Sequence, residues 1–443
     1  MDTPVLDFLR RYDAANMIRF HMPGHKGKGV LGCERWDITE VQGADALYEA
    51  DGIIAQSEAN ATALFGSQRT LYSTEGSSHC IRAMLYLALT NRPDNAAPVI
   101  VAARNVHKTF VYAAALLDLD VVWLWPEENA SLCGCPVSAA QLERTLAGLE
   151  APPVAVYLTS PDYLGDMADI AVLSEVCHRF GTLLVVDNAH GAYLRFLQPT
   201  LHPLDLGADL CCDSAHKTLP ALTGAAYLHI SKSLPTAFAD HAKAALALFG
   251  STSPSYLTLA SLDGCNAALA GEYPARVREM AAQLEDVRAA LTERGWEVLP
   301  SDPLRLTLRA PEGMTGKGLA QQLRNGGIEC EYADDALLVL MLSADNTAPE
   351  VEKILQTLGE CPAPHAPRRT LPQARGEQVV SIRQAMFAPH EIVPADEALG
   401  RICGAPMVSC PPAIPIVVSG ERIGENALTL FRYYGVKQVD VLK

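Results

Sequence analysis

Apolar runs of strand type alternate with helix-like stretches from residue 98 onward, and no other feature of the sequence constrains the fold more. The runs cover residues 99–102, 121–124 and 154–158, and helix-like stretches cover residues 139–149 and 171–180. Strands that alternate with helices of this length predict an α/β fold with a mostly parallel central sheet and helices on both faces. Ligands of such sheets bind at the carboxyl ends of the strands.

Two strand ends carry groups suited to chemistry. The run at 183–187 ends in Asp187, and the run at 207–212 is followed by Asp213 and then by Lys217. A buried carboxylate is costly unless a cation faces it, and a nucleophilic lysine needs desolvation or a cofactor that captures it as an imine. Pyridoxal phosphate meets both needs, with Asp187 at its ring nitrogen, Lys217 at its aldehyde and the small Ala189 under its ring. From these residues alone, a surface turn at Lys217 and a buried pair between Asp187 and an arginine remain as alternatives.

A glycine and two hydroxyls, Gly76-Ser77-Ser78, open an apolar helix-like stretch. The free N–H groups and the dipole of a helix N-terminus favour an anion such as phosphate. Taken alone, this loop is adequately explained as an ordinary helix N-cap. Since it precedes Asp187 and Lys217, we interpret it as a phosphate site in which Ser77 and Ser78 donate hydroxyl groups.

Together these motifs resemble the pyridoxal-phosphate-dependent ornithine/lysine/arginine decarboxylase family. The resemblance begins with Asp187-x-Ala189-His190-Gly191 followed by Ser214-x-His216-Lys217. Further stretches agree with the family in the same order: residues 20–27, Arg104-Asn105-Val106-His107-Lys108, residues 251–256, Pro411-Pro412-Ala413-Ile414-Pro415, and Gly420-Glu421. The resemblance covers nearly the whole chain and is strongest to the short family members, which lack an extra amino-terminal domain.

The resemblance implies an aspartate-aminotransferase-like fold, which is pyridoxal-phosphate fold type I. It implies catalytic roles for Lys217, His107 and Asp187, with His107 stacked on the pyridine ring and passing protons to the decarboxylated carbon. The cofactor-binding residues that it implies are Ser77, Ser78, His107, Asp187, Ala189, His190, Ser214, His216 and Lys217. It also implies a homodimer or higher homo-oligomer with shared active sites, in which the amino-terminal segment lines the entrance and residues 251–256 reach the phosphate across the interface.

Four positions depart from the family's pattern. Ala46 stands where a second acidic residue is usual, Glu75 replaces an asparagine, Asp162 replaces a hydroxyl residue, and Asn188 replaces a glutamate. A carboxylate beside a phosphate dianion is repulsive, so we expect Glu75 to point away from it. Asp162 adds a charge and Asn188 removes one, and these two changes either compensate each other, alter substrate choice or abolish activity.

Charge and composition exclude several classes of function. The 443 residues carry a net charge of −16, which argues against nucleic-acid binding because phosphate contacts need a basic face. The 12 cysteines include Cys133-x-Cys135 and Cys211-Cys212, whose spacing does not fit a zinc site, so we expect no metal and reduced thiols. No signal peptide and no apolar run near the roughly 20 residues of a membrane helix is visible. The sequence therefore predicts a cytoplasmic protein without a membrane anchor.

The sequence predicts four segments. They are an amino-terminal segment at 1–65 that lines the active site and dimer interface, a large cofactor-binding domain at 66–260, a smaller α+β domain at 261–361, and a carboxyl-terminal domain at 362–443 that begins with a proline- and arginine-rich linker.

The predicted function is decarboxylation of a basic amino acid (arginine, lysine or ornithine) to its amine and CO2, in polyamine-related metabolism. Two alternatives stay open. One is another reaction on the same cofactor, such as transamination or β-elimination. The other is a catalytically inactive homologue that acts as a binding or regulatory subunit.

Overall fold

The computed structural model describes residues 1–126, 131–365, 371–408 and 413–443. Part of the predicted linker, and Pro411 and Pro412 of the proline-rich motif, lie outside the described residues. Within these ranges, no helix combines the length and the apolar character that crossing a membrane requires.

Helices and strands alternate along the first half of the chain. The helices in the described ranges are α1 (Pro4–Ala14), α2 (Ile53–Phe65), α3 (Ser77–Thr90), α4 (Lys108–Leu117), α5 (Ala139–Ala147), α6 (Ile170–Arg179), α7 (Ala215–Thr218), α8 (Thr236–Phe249), α9 (Tyr256–Leu269), α10 (Tyr273–Glu293), α11 (Gly316–Asn325), α12 (Ala348–Leu358), α13 (Ile382–Phe387) and α14 (Glu425–Tyr434). The strands are β1 (Arg69–Ser73), β2 (Ala97–Ala103), β3 (Asp120–Leu124), β4 (Pro153–Thr159), β5 (Leu183–Asp187), β6 (Leu210–Asp213), β7 (Ala226–Ile230), β8 (Val298–Leu299), β9 (Arg305–Arg309), β10 (Tyr332–Ala333), β11 (Leu337–Met341), β12 (His390–Pro394), β13 (Met407–Val408), β14 (Pro415–Val417) and β15 (Gln438–Leu442).

The first of two compact units comprises Met1–Pro93 and Leu183–Arg278. Its strands lie in the order β1-β7-β6-β5. Strands β5 and β6 are parallel, whereas β7 runs antiparallel to both β6 and β1. Helix α3 packs against β5, β6 and β7, and its residues Ile81, Met84, Leu85 and Ala88 are all buried. These four positions have i, i+3, i+4 and i+7 spacing, the pattern that places apolar side chains on one face of a helix.

The second unit comprises Asp94–Thr182 and Glu279–Lys443. Its strands β4, β2 and β3 are parallel neighbours with β2 in the middle, and they coincide with the three apolar runs that predicted a parallel sheet. An antiparallel sheet in the order β10-β11-β9-β8 and two two-stranded sheets, β12-β15 and β13-β14, complete it. The four-segment division expected from the sequence stays a prediction.

Two helical features differ from what the sequence predicts. Helix α1 lies in a segment without clear periodicity, but Val5 and Leu9 are buried one turn apart and the Asp263 carboxylate accepts the Val5 N–H at 3.0 Å. The sequence from about 257 to 294 is helix-like throughout and predicts one long helix, which is wrong, since the structure divides this stretch into α9 and α10. Pro274 has no N–H to donate to a preceding turn, so it starts a new helix rather than continuing the old one.

Candidate active site

Strands β5 and β6 bring the two predicted catalytic groups to the same edge of the first unit. Asp187, the last residue of β5, lies opposite Cys212 of β6 in the parallel register. Lys217 lies in the single turn of α7, which follows β6 directly. Both groups are therefore at the carboxyl ends of neighbouring parallel strands, where ligands of α/β sheets bind.

Asp187 is a buried carboxylate, with only 3% of its surface exposed. Its Oδ1 accepts the N–H of Ala189 at 3.2 Å, and the thiol of Cys212 lies 3.7 Å away. An ionised carboxylate that is withdrawn from water is best stabilised by a positive charge. This position suits a cationic ligand atom such as a protonated ring nitrogen.

Lys217 and His190 form a direct contact. Lys217 Nζ lies 2.9 Å from His190 Nε2, which is hydrogen-bonding distance. His190 is buried, whereas Lys217 is exposed. The contact places a proton-holding group beside an amine that solvent and ligands can reach.

His216 and Ser214 stabilise the turn around this lysine. His216 Nδ1 lies 2.9 Å from the Ala225 carbonyl oxygen, and burial lowers the pKa of the imidazole. Neutral His216 therefore donates to that carbonyl. Ser214 is buried, and its own carbonyl accepts the Lys217 N–H at 3.0 Å. These bonds fix the backbone that leads into Lys217.

The predicted phosphate site lies beside the loop that follows Lys217. The N–H of Gly76 donates to the Gly224 carbonyl at 2.8 Å, and both glycines have positive φ, 72° and 93°. A Cβ at Gly224 would lie 2.8 Å from the Thr74 carbonyl, so the close approach of the two loops requires glycine there. Ser77 and Ser78, both half-buried, form the first turn of α3 at this point.

Glu75 contacts the serine-rich turn at residues 251–256. Its Oε1 accepts the N–H of Ser251 at 2.6 Å, and its side chain is exposed. The carboxylate thus provides an acceptor for a backbone donor of this turn. Its expected orientation away from a bound phosphate stays a prediction.

His107 lies in the second unit, where it is the N-cap residue of α4. Its Nδ1 accepts the Thr109 N–H at 3.2 Å. This bond is sufficient to explain a histidine at position 107, because it caps the N-terminus of α4. Its predicted roles in catalysis and cofactor stacking stay predictions.

Three further positions depart from the family's pattern, and local hydrogen bonds are formed at or next to each of them: Asn188, Asp162 and Ala46. The amide of Asn188 donates to Asp213 at 2.6 Å. The Asp162 carboxylate accepts the N–H groups of Leu164 at 2.8 Å and of Asp166 at 3.0 Å. Next to Ala46, the Asp45 carboxylate accepts backbone N–H groups at the start of α2, including that of Ile54 at 2.9 Å, and so acts as a helix cap.

Sequence reasoning missed a buried group behind the site. His202 and His229 both contact the Asp213 carboxylate, and all three side chains are fully buried. One signal was present: His229 stands inside the apolar strand β7, and a histidine in such a strand needs a buried polar partner. The sequence did not reveal which residue that partner is.

The buried carboxyl group of Asp162 makes the free energy of unfolding depend on pH. Burial, with a smaller contribution from Asp166, raises its pKa to about 7. Because the folded-state pKa is above the unfolded value, the contribution of this group is present below about pH 4 and is lost as pH rises through about 7. From pH 5 to pH 8, we expect the free energy of unfolding of Asp162→Asn to rise relative to that of the parent by on the order of 2–4 kcal/mol. Thermal unfolding at the two pH values measures this, and an equal difference in Tm at both would contradict it.

Family models match most of the chain. The model described as Orn/Lys/Arg decarboxylase, major domain, matches residues 3–310, and the model described as Orn/Lys/Arg decarboxylase, C-terminal domain, matches residues 368–439. An arginine decarboxylase of Bacillus subtilis (strain 168) is 28% identical, over 97% of this chain and 92% of that protein.

Solved structures share the fold. The Francisella novicida lysine decarboxylase LdcF has a TM-score of 0.84 at 16% identity, covering 100% of this chain and 81% of that one. A structure described as SPT with PLP internal aldimine has a TM-score of 0.54 at 15% identity, covering 68% of this chain and 74% of that one. The predicted fold class, aspartate-aminotransferase-like with a mostly parallel α/β sheet and further domains, is confirmed. Because the two family models together match most of its length, the chain belongs to the Orn/Lys/Arg decarboxylase family, a family of enzymes.

Proposed function

We propose that this protein binds pyridoxal phosphate at the edge formed by β5 and β6 and removes the α-carboxylate of a basic amino acid as CO2, leaving the amine. The observation that carries the proposal is the contact between Lys217 and His190 at 2.9 Å, next to the strand end that bears buried Asp187. A lysine amine for the aldehyde and a carboxylate for the ring nitrogen are the groups that a protein typically offers this cofactor, and an imidazole beside the amine can exchange a proton with it.

The residues present fit the cofactor. Buried Asp187 suits a protonated pyridine nitrogen because it offers a negative charge in a place poor in water. The hydroxyls of Ser77 and Ser78 and the N-terminus of α3 suit a phosphate. A Cβ built at Gly76 meets nothing within 4 Å, so there is open space at this helix N-terminus. Ala189 is small enough to lie under a ring.

When bound, pyridoxal phosphate supplies an electron sink for the bond that breaks at the substrate's α-carbon. Asp187 would favour the protonated form of the ring nitrogen, because it offers a buried negative charge. Lys217 would hold the cofactor through its amine and would give up that place to the amine of the substrate. His190 then takes or returns the proton of the Lys217 amine, since the two nitrogens are already within hydrogen-bonding distance. Lys217 would deliver the proton that replaces the carboxylate, and the family resemblance implies His107 as the alternative donor.

The proposed substrates are arginine, lysine and ornithine, which are the amino acids in the family's description. The net charge of −16 favours the approach of a cationic substrate. Purified protein supplied with the cofactor is assayed with each amino acid for CO2 and amine. We expect equal amounts of both products with at least one of the three. Release of a keto acid or of ammonia instead would favour transamination or elimination, and no product with any substrate would favour an inactive homologue.

We also propose a homodimer or larger homo-oligomer. In the amino-terminal segment, the side chains of Phe20 and Val30 are 93% and 98% exposed, and Ile18 and Leu31 are exposed as well. Four large apolar side chains that are exposed within one short segment favour an interaction surface there. We expect light scattering to give at least twice the 47.6 kDa mass of one chain, and a shift toward the mass of one chain when Phe20 and Val30 are both replaced by serine. A monomeric parent protein would contradict the proposal.

A further inference from the structure

A buried carboxylate, Asp213, lies behind the active-site turn at residues 187–191. It accepts hydrogen bonds from Nε2 of His202 at 3.1 Å, from Nε2 of His229 at 3.0 Å and from the Asn188 amide at 2.6 Å. Burial favours the neutral acid, but the two imidazoles outweigh burial and hold the pKa of Asp213 well below its usual range. Asp213 is therefore a charged acceptor with three donors in a site closed to water.

The residues around Asp213 include side chains of the types that bind metal ions. Donor atoms of His202, Cys211, Asp213 and His229 all lie within 4.8 Å of one another, and in the described part of the chain this is the one such group. His202 Nδ1, however, accepts the Leu204 N–H at 3.4 Å, so the ring proton is on the Nε2 that faces Asp213. The geometry thus favours a hydrogen-bonded carboxylate.

Asp213 reaches the active site through Asn188. The Asn188 backbone N–H donates to the Cys212 carbonyl at 3.0 Å, and its own carbonyl accepts the Gly191 N–H at 2.8 Å. A Cβ at Gly191 would collide with Asn188 Oδ1, so this side chain lies directly against the turn. The orientation of Asn188 therefore controls the backbone between Asp187 and His190.

We propose that Asp213 is a positioning residue for this reaction, and that it acts through Asn188 on the turn that joins Asp187 to His190. The proposal rests on the proposed function. The carboxylate of Asp213 lies on β6, the strand that leads to Lys217. The Asn188 amide that donates to it lies on the turn after β5. Asn188 is then part of a matched pair with Asp213, so its presence is no sign of lost activity.

Four variants test the pair. Asn188→Ala keeps both imidazole bonds of Asp213 and removes only the bond to the turn. Asp213→Asn removes the charge. Asn188→Asp places two carboxylates 2.6 Å apart. The double variant Asn188→Asp with Asp213→Asn restores an amide–carboxylate bond in the opposite direction, and the new amide oxygen at position 213 still accepts from the imidazoles. The dissociation constant of pyridoxal phosphate, measured by absorbance titration of the apoprotein, is the main readout.

We expect each single variant to weaken cofactor binding by roughly 10-fold and the double variant to return within about 3-fold of the parent, as coupled residues do in a double-mutant cycle. The matched control is Asp209→Asn. Asp209 is also buried, and it accepts the Leu184 N–H at 2.8 Å just before β6 begins. This control is expected to lower Tm without changing the dissociation constant.

Three results would overturn the proposal. Asn188→Ala could bind the cofactor as tightly as the parent, or the double variant could be as weak as the single ones. Alternatively, the purified protein could retain one zinc ion per chain, and the Cys211→Ser variant could lack it. The group formed by His202, Cys211, Asp213 and His229 would then be a metal site. None of these results touches the proposed function, because the parent protein would still bind the cofactor and release CO2.

Discussion

Replacing Lys217 by alanine is expected to reduce amine release by more than about 10³-fold, since in the proposed function the lysine both holds the cofactor and moves a proton. Lys217 Nζ contacts His190 at 2.9 Å, and alanine leaves no amine at that point of the site. The parent protein with bound pyridoxal phosphate is expected to show a visible absorbance band that reports the lysine–cofactor linkage. That band should be missing in Lys217→Ala, while far-ultraviolet circular dichroism stays unchanged.

Lys232→Ala is the matched control for this experiment. Lys232 is an exposed lysine of the same unit, just after β7, so its loss should leave both activity and absorbance unchanged. A Lys217→Ala protein that keeps the band and turns over substrate at a rate near that of the parent would show that another amine holds the cofactor.

The second large effect is expected for Asp187→Asn. Asparagine keeps the shape of the side chain, and its Oδ1 can still accept the Ala189 N–H, which is 3.2 Å away. The substitution removes only the negative charge, and with it the group that is proposed to keep the ring nitrogen protonated. We expect kcat to fall by at least about 10²-fold at saturating cofactor, which is the range for loss of a charge aimed at the reacting system.

A cofactor analogue separates this electrostatic role from a structural one. Pyridoxal phosphate methylated at the ring nitrogen carries a permanent positive charge, so it does not need Asp187 to keep a proton. We expect this analogue to recover part of the activity that Asp187→Asn loses and to impair the parent. If the analogue gives no recovery although it binds, the carboxylate has another role. Leu183, on the same strand but half-buried, offers a control in Leu183→Val, which should change stability more than kcat.

Much of the site was predictable because strand ends are visible in a sequence. The apolar runs before Asp187 and Lys217 marked β5 and β6, and parallel strands place their carboxyl ends at one edge. Gly76 and the hydroxyls after it marked the start of α3 for a similar reason. In each case the signal is local, so no knowledge of distant contacts was needed.

The parts that could not be predicted depend on contacts between distant residues. Asn188 and Asp213 are 25 positions apart, and their bond exists because of the register between β5 and β6. His202 reaches Asp213 from a loop without regular periodicity, so no pattern points to it. Helix α1 was missed for the same reason, because its stability comes from packing and from the cap by Asp263, 258 residues away.

The central claim is that Lys217 is the residue that holds pyridoxal phosphate in this enzyme. Borohydride reduction of the protein with bound cofactor converts the lysine–cofactor linkage into a stable bond, and peptide mass spectrometry then identifies the modified residue. We predict one phosphopyridoxyl group per chain, on Lys217. A modified lysine elsewhere, or no modification at saturating cofactor, would contradict the account.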